Sequence, residues 1–214
     1  MDTIVGLGRA GCAIADKFSS YPQYKVFKID SEGIEKKSKN CYLLPKHENP
    51  EKYEKSVRSM KTFFKSATQD VLFVLSGSGL VSGAALQILK SLQDRNINIL
   101  YIKPDLEFLG HINILQERTV RNVLQEYTRS GIFNRMFLVD NAKVEEVLGE
   151  VPIVGYYDKL NELIVSTIHM INVYNHQDPI HATPFDTSET TRISTFGILN
   201  IEKGEEKLFF PLDS

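Results

Sequence analysis

Two clusters of glycine and serine carry the most specific chemistry in this chain. Gly6-Leu7-Gly8-Arg9-Ala10-Gly11 follows a short β-type run, Thr3-Ile4-Val5, and precedes helix-forming residues to about Ser19. Glycine there permits a tight turn and close backbone approach, and a helix N-terminus offers free N–H donors with a partial positive charge, so the arrangement suits a phosphate. Without a ligand it is a tight strand-to-helix turn. The second cluster, Ser76-Gly77-Ser78-Gly79-Leu80-Val81-Ser82-Gly83, stands at another strand-to-helix junction. Its backbone amides and serine hydroxyls suit phosphate oxygens, a hydroxyl being both donor and acceptor; its structural alternative is a flexible connection. Asp30 follows the second strand near where a dinucleotide fold places its ribose-binding acid, and equally makes a good turn and cap residue. An NAD-binding oxidoreductase built on Gly6, Gly8, Gly11 and Asp30 is therefore a rival reading, and it leaves the second cluster unemployed.

Weaker constellations add little. His176, Asp178 and His181 lie close together, but no cysteine or further histidine completes a closed metal site, and a solvated loop is the simpler reading. Cys12 sits where a helix N-terminus can lower a thiol pKa, yet it has no histidine partner, which favours small-residue packing. The Lys25 to Lys39 stretch is balanced by Glu32 and Glu35 and reads as solvated surface.

The elements that must position the two loops alternate. A second strand, Lys25 to Ile29, completes one strand-helix-strand unit; Cys41 to Leu44 is a short third strand, and Pro45 to Pro50 a loop. Tyr53, Val57, Met60, Phe63 and Phe64 recur at three and four residues and predict a helix from about Glu51 to Ser66. The unbroken apolar run Val71 to Leu75 predicts a strand buried on both faces of a parallel sheet, followed by a helix starting at Ala84. Ile97 to Ile102 is the next strand, Asn113 to Ser130 a long helix capped by Gly131, Met136 to Val139 a strand, and a short helix runs to Leu148. From Tyr156 to Tyr174 apolar residues surround most of a helix, which predicts a buried, central one. Asn175 to Phe185 reads as a loop, and Arg192 to Ile201 with Lys207 to Phe210 as a β-hairpin turning at Glu202 to Glu205. The fold class is α/β: a Rossmann-like three-layer αβα arrangement with a mostly parallel sheet, a buried central helix and a C-terminal β-hairpin.

Composition excludes some functions. Twenty-five basic against twenty-seven acidic residues give a net charge of −2, with no basic excess to bind nucleic acid. Apolar runs fall far short of the roughly 20 residues that span a membrane, and the N-terminus shows no signal pattern. Only Cys12 and Cys41 occur, so reduced thiols and a cytoplasmic location are expected, with no membrane partner.

From about residue 3 to about residue 200 the chain resembles the tubulin and FtsZ superfamily. Gly6 to Ala13 resembles that family's first phosphate loop; Ser76 to Ala85 is similar to its G-G-G-T-G-[ST]-G-A-A signature, with Leu80 and Val81 standing where the family has threonine and glycine. Asn96 to Pro104 followed by Phe108-Leu109-Gly110 is similar to the strand and K-P-F-x-F-E-G stretch after it, and Leu138 to Asn141 to its I-P-N-D stretch. The resemblance implies GTP or GDP, with Mg²⁺ carried by the nucleotide. It implies phosphate contacts from Gly6, Gly8, Arg9, Ala10, Gly11 and Cys12 and from Gly77, Ser78, Gly79, Leu80, Val81 and Ser82. Asn141 would read guanine, and Tyr157, within Tyr156-Tyr157-Asp158 at the start of the central helix, would stack on it. Asp186 and Glu189 keep the spacing of the family's acid loop, which brings carboxylates to a neighbouring subunit's γ-phosphate and implies slow hydrolysis completed by a second subunit; as helix-start acids they would equally favour the dipole.

Two departures matter. Leu109 replaces a ribose-contacting glutamate, and Asn113 falls where an arginine would be. With Leu80 and Val81 they support another reading, a tubulin-fold scaffold that has lost nucleotide binding. Residues 1–175 are expected to form the nucleotide-binding domain and 176–214 the acid loop and hairpin, without the family's full second domain. Guanine nucleotide and either a second copy of the chain or a full-length FtsZ- or tubulin-like protein are the expected partners, through self-assembly or through capping a related filament.

Overall fold

The computed structural model describes residues 1–34, 38–149, 152, 154–176 and 191–211. Seven strands form one parallel sheet: β1 (Thr3–Leu7), β2 (Lys25–Asp30), β3 (Cys41–Leu43), β4 (Asp70–Leu75), β5 (Asn96–Lys103), β6 (Arg135–Asp140) and β7 (Ile193–Thr195), in the spatial order β3-β2-β1-β4-β5-β6-β7. Among the described residues six helices connect them: α1 (Gly8–Phe18), α2 (Pro50–Ser56), α3 (Ala85–Lys90), α4 (His111–Arg129), α5 (Asn141–Leu148) and α6 (Tyr156–His176).

Strand residues point alternately to the two faces, which divides the core. Val71, Phe73 and Leu75 of β4 pack with Tyr53, Ile88 and Leu124 of α2, α3 and α4. Leu72 and Val74 pack instead with Ile14 and Phe18 of α1, Val144 of α5, and Leu160, Ile164 and Ile168 of α6. The result is three layers, with every residue of β4 after Asp70 buried, as an unalternating apolar run requires.

Three elements differ from expectation. The helix foreseen to Ser66 ends at Ser56, where Val57 turns extended, and the chain resumes as a 3₁₀ turn, Phe63–Ser66. Tyr53, Met60 and Phe64 are all buried as their spacing demanded, but distant groups take the backbone a helix would have used. The Ser91 hydroxyl accepts from the Met60 amide at 3.0 Å, and the Arg95 guanidinium donates to the carbonyls of Phe64, Ala67 and Thr68 at 3.2, 2.6 and 2.7 Å. The foreseen strand Arg192 to Ile201 is divided at Phe196: its first part is β7, at the sheet edge, while β8 (Gly197–Asn200) pairs antiparallel with β9 (Glu205–Leu208) as the hairpin. Helix α6 buries one face against α1 and the sheet, and among the described residues nothing covers Met170 and Tyr174, which are 64% and 63% exposed.

Candidate functional site

The strand order reverses between β1 and β4. To one side lie β2 and β3, to the other β5 to β7, so the connections leave the two central strands on opposite faces and open a crevice at their carboxyl ends. Leu7 and Leu75, the last residues of β1 and β4, are paired in register at its floor. The cleft above them holds about 1080 Å³.

Both glycine loops reach it, but their glycines divide into two kinds. Gly8 and Gly79 line the cleft, and a Cβ built on either meets nothing within 4 Å; Gly8 adopts φ +71°, where a side chain is strained. Gly6, Gly11 and Gly77, expected among the phosphate contacts, lie beneath it instead. A Cβ on Gly6 would strike the Gly11 carbonyl, one on Gly11 the Val74 carbonyl, and one on Gly77 the Tyr101 hydroxyl. Their absent side chains let α1 lie directly on β1 and β4, and α4 against the second loop. Cys12 is also below the cleft, its thiol directed at the Gly6 and Ile29 carbonyls at 3.5 Å and pushed up to about 12 by burial and then by the Asp30 carboxylate. That environment is the reverse of an activated thiol's.

Arg9 and Ala10, in the first turn of α1, line the cleft. Leu7 stands at the N-cap and makes no side-chain hydrogen bond, so no capping side chain competes for the first amides. Across the cleft stand Ser76, Ser78, Leu80, Val81 and Ser82. The Ser82 hydroxyl serves the loop itself, lying 2.9 and 2.6 Å from the Gly77 and Gly79 carbonyls and accepting from Gln116 at 3.2 Å. A 3₁₀ turn, Leu80–Ala84, separates this loop from α3, and Gly83 is packed under the backbone of Pro50.

At the β2 side, Asp30 is only 6% exposed. Burial raises its carboxyl above the ordinary range, partly offset by the Ser31 amide that donates to it. Because the folded pKa exceeds the unfolded one, the ionised group costs stability, and the folded state gains relative stability as pH falls. Asp30→Asn is accordingly expected to raise the urea midpoint at pH 7, with a gain that shrinks as pH drops through the carboxylate range; an unchanged or lower midpoint at pH 7 would contradict it. Above Asp30, Glu32 bridges Lys46 at 2.7 Å and Arg9 at 3.5 Å. His47 also lines the cleft, with a buried Nε2 that has no partner among the described residues.

The opposite end is built from β6, α5 and α6. Asp140 caps α5 by accepting from the Ala142 amide at 3.1 Å and is held by Lys103 at 2.6 Å. Asn141, Glu145, Tyr156, Tyr157 and Asn161 line this end, and the Tyr156 hydroxyl donates to Glu145 at 2.6 Å. Burial and that carboxylate hold the phenol well above its usual range. Leu109 lines the cleft, whereas Asn113 does not and is exposed.

The structure thus brings Gly8, Arg9, Ala10, Ser78, Gly79, Leu80, Val81, Ser82, Asn141 and Tyr157 to one cleft. Asp186 and Glu189, like Asp178 and His181, lie outside the described residues. Among the described residues no group of three or more His, Cys, Asp or Glu side chains is placed to hold a metal, and no helix is long and apolar enough to cross a membrane. Sequence reasoning missed Lys46, His47, Glu145 and Asn161. Glu145 and Asn161 each lie one helical turn after a residue singled out, Asn141 and Tyr157, and that spacing was a usable signal. Nothing in the Pro45 to Pro50 loop marked His47.

No family model and no curated protein sequence matches the chain. Solved structures do. An empty FtsZ dimer from M. jannaschii aligns with a TM-score of 0.63 at 16% identity, over 86% of this chain and 57% of that one. A mutant FtsZ from the same organism aligns with a TM-score of 0.67 at 14% identity, over 84% and 58%. The chain has a tubulin/FtsZ-like fold and spans somewhat under three-fifths of the FtsZ chains it matches.

Proposed function

We propose that this tubulin/FtsZ-like chain binds a guanine nucleotide in the cleft at the ends of β1 and β4, and acts in self-assembly or in modulating the assembly of a related filament protein. One observation carries the reading: two glycine-serine loops, on adjacent strands at the point where strand order reverses, open on the same cleft. Neighbouring strands lie about 4.8 Å apart, so the three spacings from β6 to β1 amount to about 14 Å. That distance suits a base near Asn141 and Tyr157 with a phosphate chain over Gly8, Arg9, Ala10 and Gly79. The N-terminus of α1 favours the anionic end.

Cleft-facing residues fit such a ligand in kind: bare glycine backbone and uncapped helix amides for phosphate, tyrosine and asparagine for the base. A Mg²⁺ ion carried by the nucleotide would neutralise part of the phosphate charge. Asp186 and Glu189, presented by a second copy of the chain, would orient the attacking water for slow hydrolysis.

Asp30 supports a second reading, since it is a buried carboxylate in the cleft beside the end of β1, where a dinucleotide's ribose would lie. Calorimetric titration separates these. GTP with Mg²⁺ or GDP should bind while ATP and NAD bind far more weakly, and the heat should vanish in Gly79→Val. Binding of NAD alone would favour the dinucleotide reading, and no binding of any of them at millimolar concentration would favour a scaffold that has lost its ligand.

A further inference from the structure

The cleft does not end at a wall. Beyond Tyr156 it continues into a second hollow of about 560 Å³, and the two share Ala13, Glu145, Tyr156, Tyr157 and Asn161. Two carboxylates stand at this end, and they differ in availability. Asp158 lines only the outer hollow, is 76% exposed and pairs with Lys17 at 3.1 Å. Glu145 lines both. Its Oε2 accepts from the Tyr156 hydroxyl at 2.6 Å, while Oε1 has no hydrogen-bond partner among the described residues. Asn141, one turn earlier on α5, shares its face of the helix.

We infer that Glu145, aimed by Tyr156, is the specificity-determining residue that selects a purine by its hydrogen-bond donor edge; this rests on the nucleotide reading above. A carboxylate is acceptor-only, and Tyr156 fixes one of its oxygens. The free oxygen then faces whatever edge the base presents. Guanine offers a ring N–H and an exocyclic amine side by side, two donors for one carboxylate. Adenine offers a ring-nitrogen lone pair in the same place, which a carboxylate repels, and hypoxanthine keeps the ring N–H but lacks the amine. A phenol is protonated near neutral pH, and here its one hydrogen is directed at Glu145. Tyr156 is thus a positioning residue, and Asp158, occupied by Lys17, is not the base reader.

Hydrogen bonds to a charged group are worth about ten- to a hundred-fold in affinity. GDP, IDP and ADP would be titrated by calorimetry into the unaltered protein and into Glu145→Gln, Tyr156→Phe and Asp158→Asn. The unaltered protein should prefer GDP over IDP and IDP over ADP. Glu145→Gln should weaken GDP at least ten-fold, narrow the gap to IDP and tighten ADP, because a neutral amide no longer repels the adenine lone pair and can donate to it. Tyr156→Phe should lower the GDP to ADP ratio in the same direction, a readout that a merely structural role would not move because both nucleotides share sugar and phosphates. If Glu145→Gln keeps the original ratio, or Asp158→Asn abolishes it instead, the inference falls while nucleotide binding stands. If the unaltered protein binds none of the three, the proposed function falls and takes this inference with it.

Discussion

Gly11→Val is expected to remove about 3–5 kcal/mol of folding stability, a large share of the roughly 5–15 kcal/mol typical of a domain. The valine Cβ would overlap the carbonyl oxygen of Val74, which belongs to a fully buried residue of β4. That strand cannot retreat, because Val74 is paired with Gly6 of β1 on one side and Leu100 of β5 on the other. Neither can α1, whose Ile14, Ala15 and Phe18 are buried in the core beneath it. Relief requires lifting the helix from the sheet, which exposes all three. Gly79→Val is the informative contrast. Its Cβ points into open space and its backbone is already extended, at φ −83° and ψ 146°, so stability should stay within about 0.5 kcal/mol while nucleotide binding is lost. Urea unfolding of the two variants tests the distinction, and equal midpoints would show that the glycines do not divide into packing and cleft-facing kinds.

The second large effect is expected at Arg121. Glu117, on α4, is fully buried, and its Oε1 accepts from the Arg121 Nε at 2.9 Å and from the Tyr101 hydroxyl at 3.1 Å. Its Oε2 has no partner among the described residues, so the carboxylate depends on those two contacts. Arg121→Met leaves a buried charge without its counter-ion, a change that costs about 3–5 kcal/mol. Replacing both residues, as Glu117→Leu with Arg121→Met, should recover most of that loss, because a buried pair contributes little beyond a well-packed apolar one. A double-mutant cycle in denaturant at pH 7 measures the coupling. If the single substitution costs less than about 1 kcal/mol, the pair behaves as a surface ion pair and the argument fails. Because Glu117 backbone atoms lie against Gly77, the single variant should also weaken ligand binding at the second loop.

Much of this was legible in the sequence for identifiable reasons. An apolar run such as Val71 to Leu75, bounded by glycine and serine, has few alternatives to a buried parallel strand, and each glycine loop stood between a strand and a helix signal. What spacing could not reveal was which atoms fill the space around a glycine. Gly8 and Gly11 look equivalent in the motif, yet one faces the cleft and the other a carbonyl of β4, a partner far away in the chain. The helix foreseen to Ser66 failed for a related reason: its apolar spacing was real, but Arg95 and Ser91 offered its backbone partners that no local pattern encodes. At the far end of the cleft, Asn141 and Tyr157 were singled out through resemblance alone. Glu145 escaped because an acidic residue on a short helix ordinarily signals solvent, and only the meeting of α5 with α6 gives it Tyr156.

The strand order also bears on how the chain is made. As it leaves the ribosome, β1 comes first, β2 and β3 add to one of its edges, and β4, β5, β6 and β7 then add one after another to the opposite edge. No strand has to be inserted between two that have already paired. Both glycine loops exist once residue 84 has emerged, but the amide of Asp140, next to Asn141, finds its acceptor in the carbonyl of Phe209, at 2.6 Å. During synthesis the glycine-loop end of the cleft can therefore be in place well before the end at Asn141 is locked. On the nucleotide reading proposed above, a nascent chain would hold a polyphosphate before it could tell one base from another.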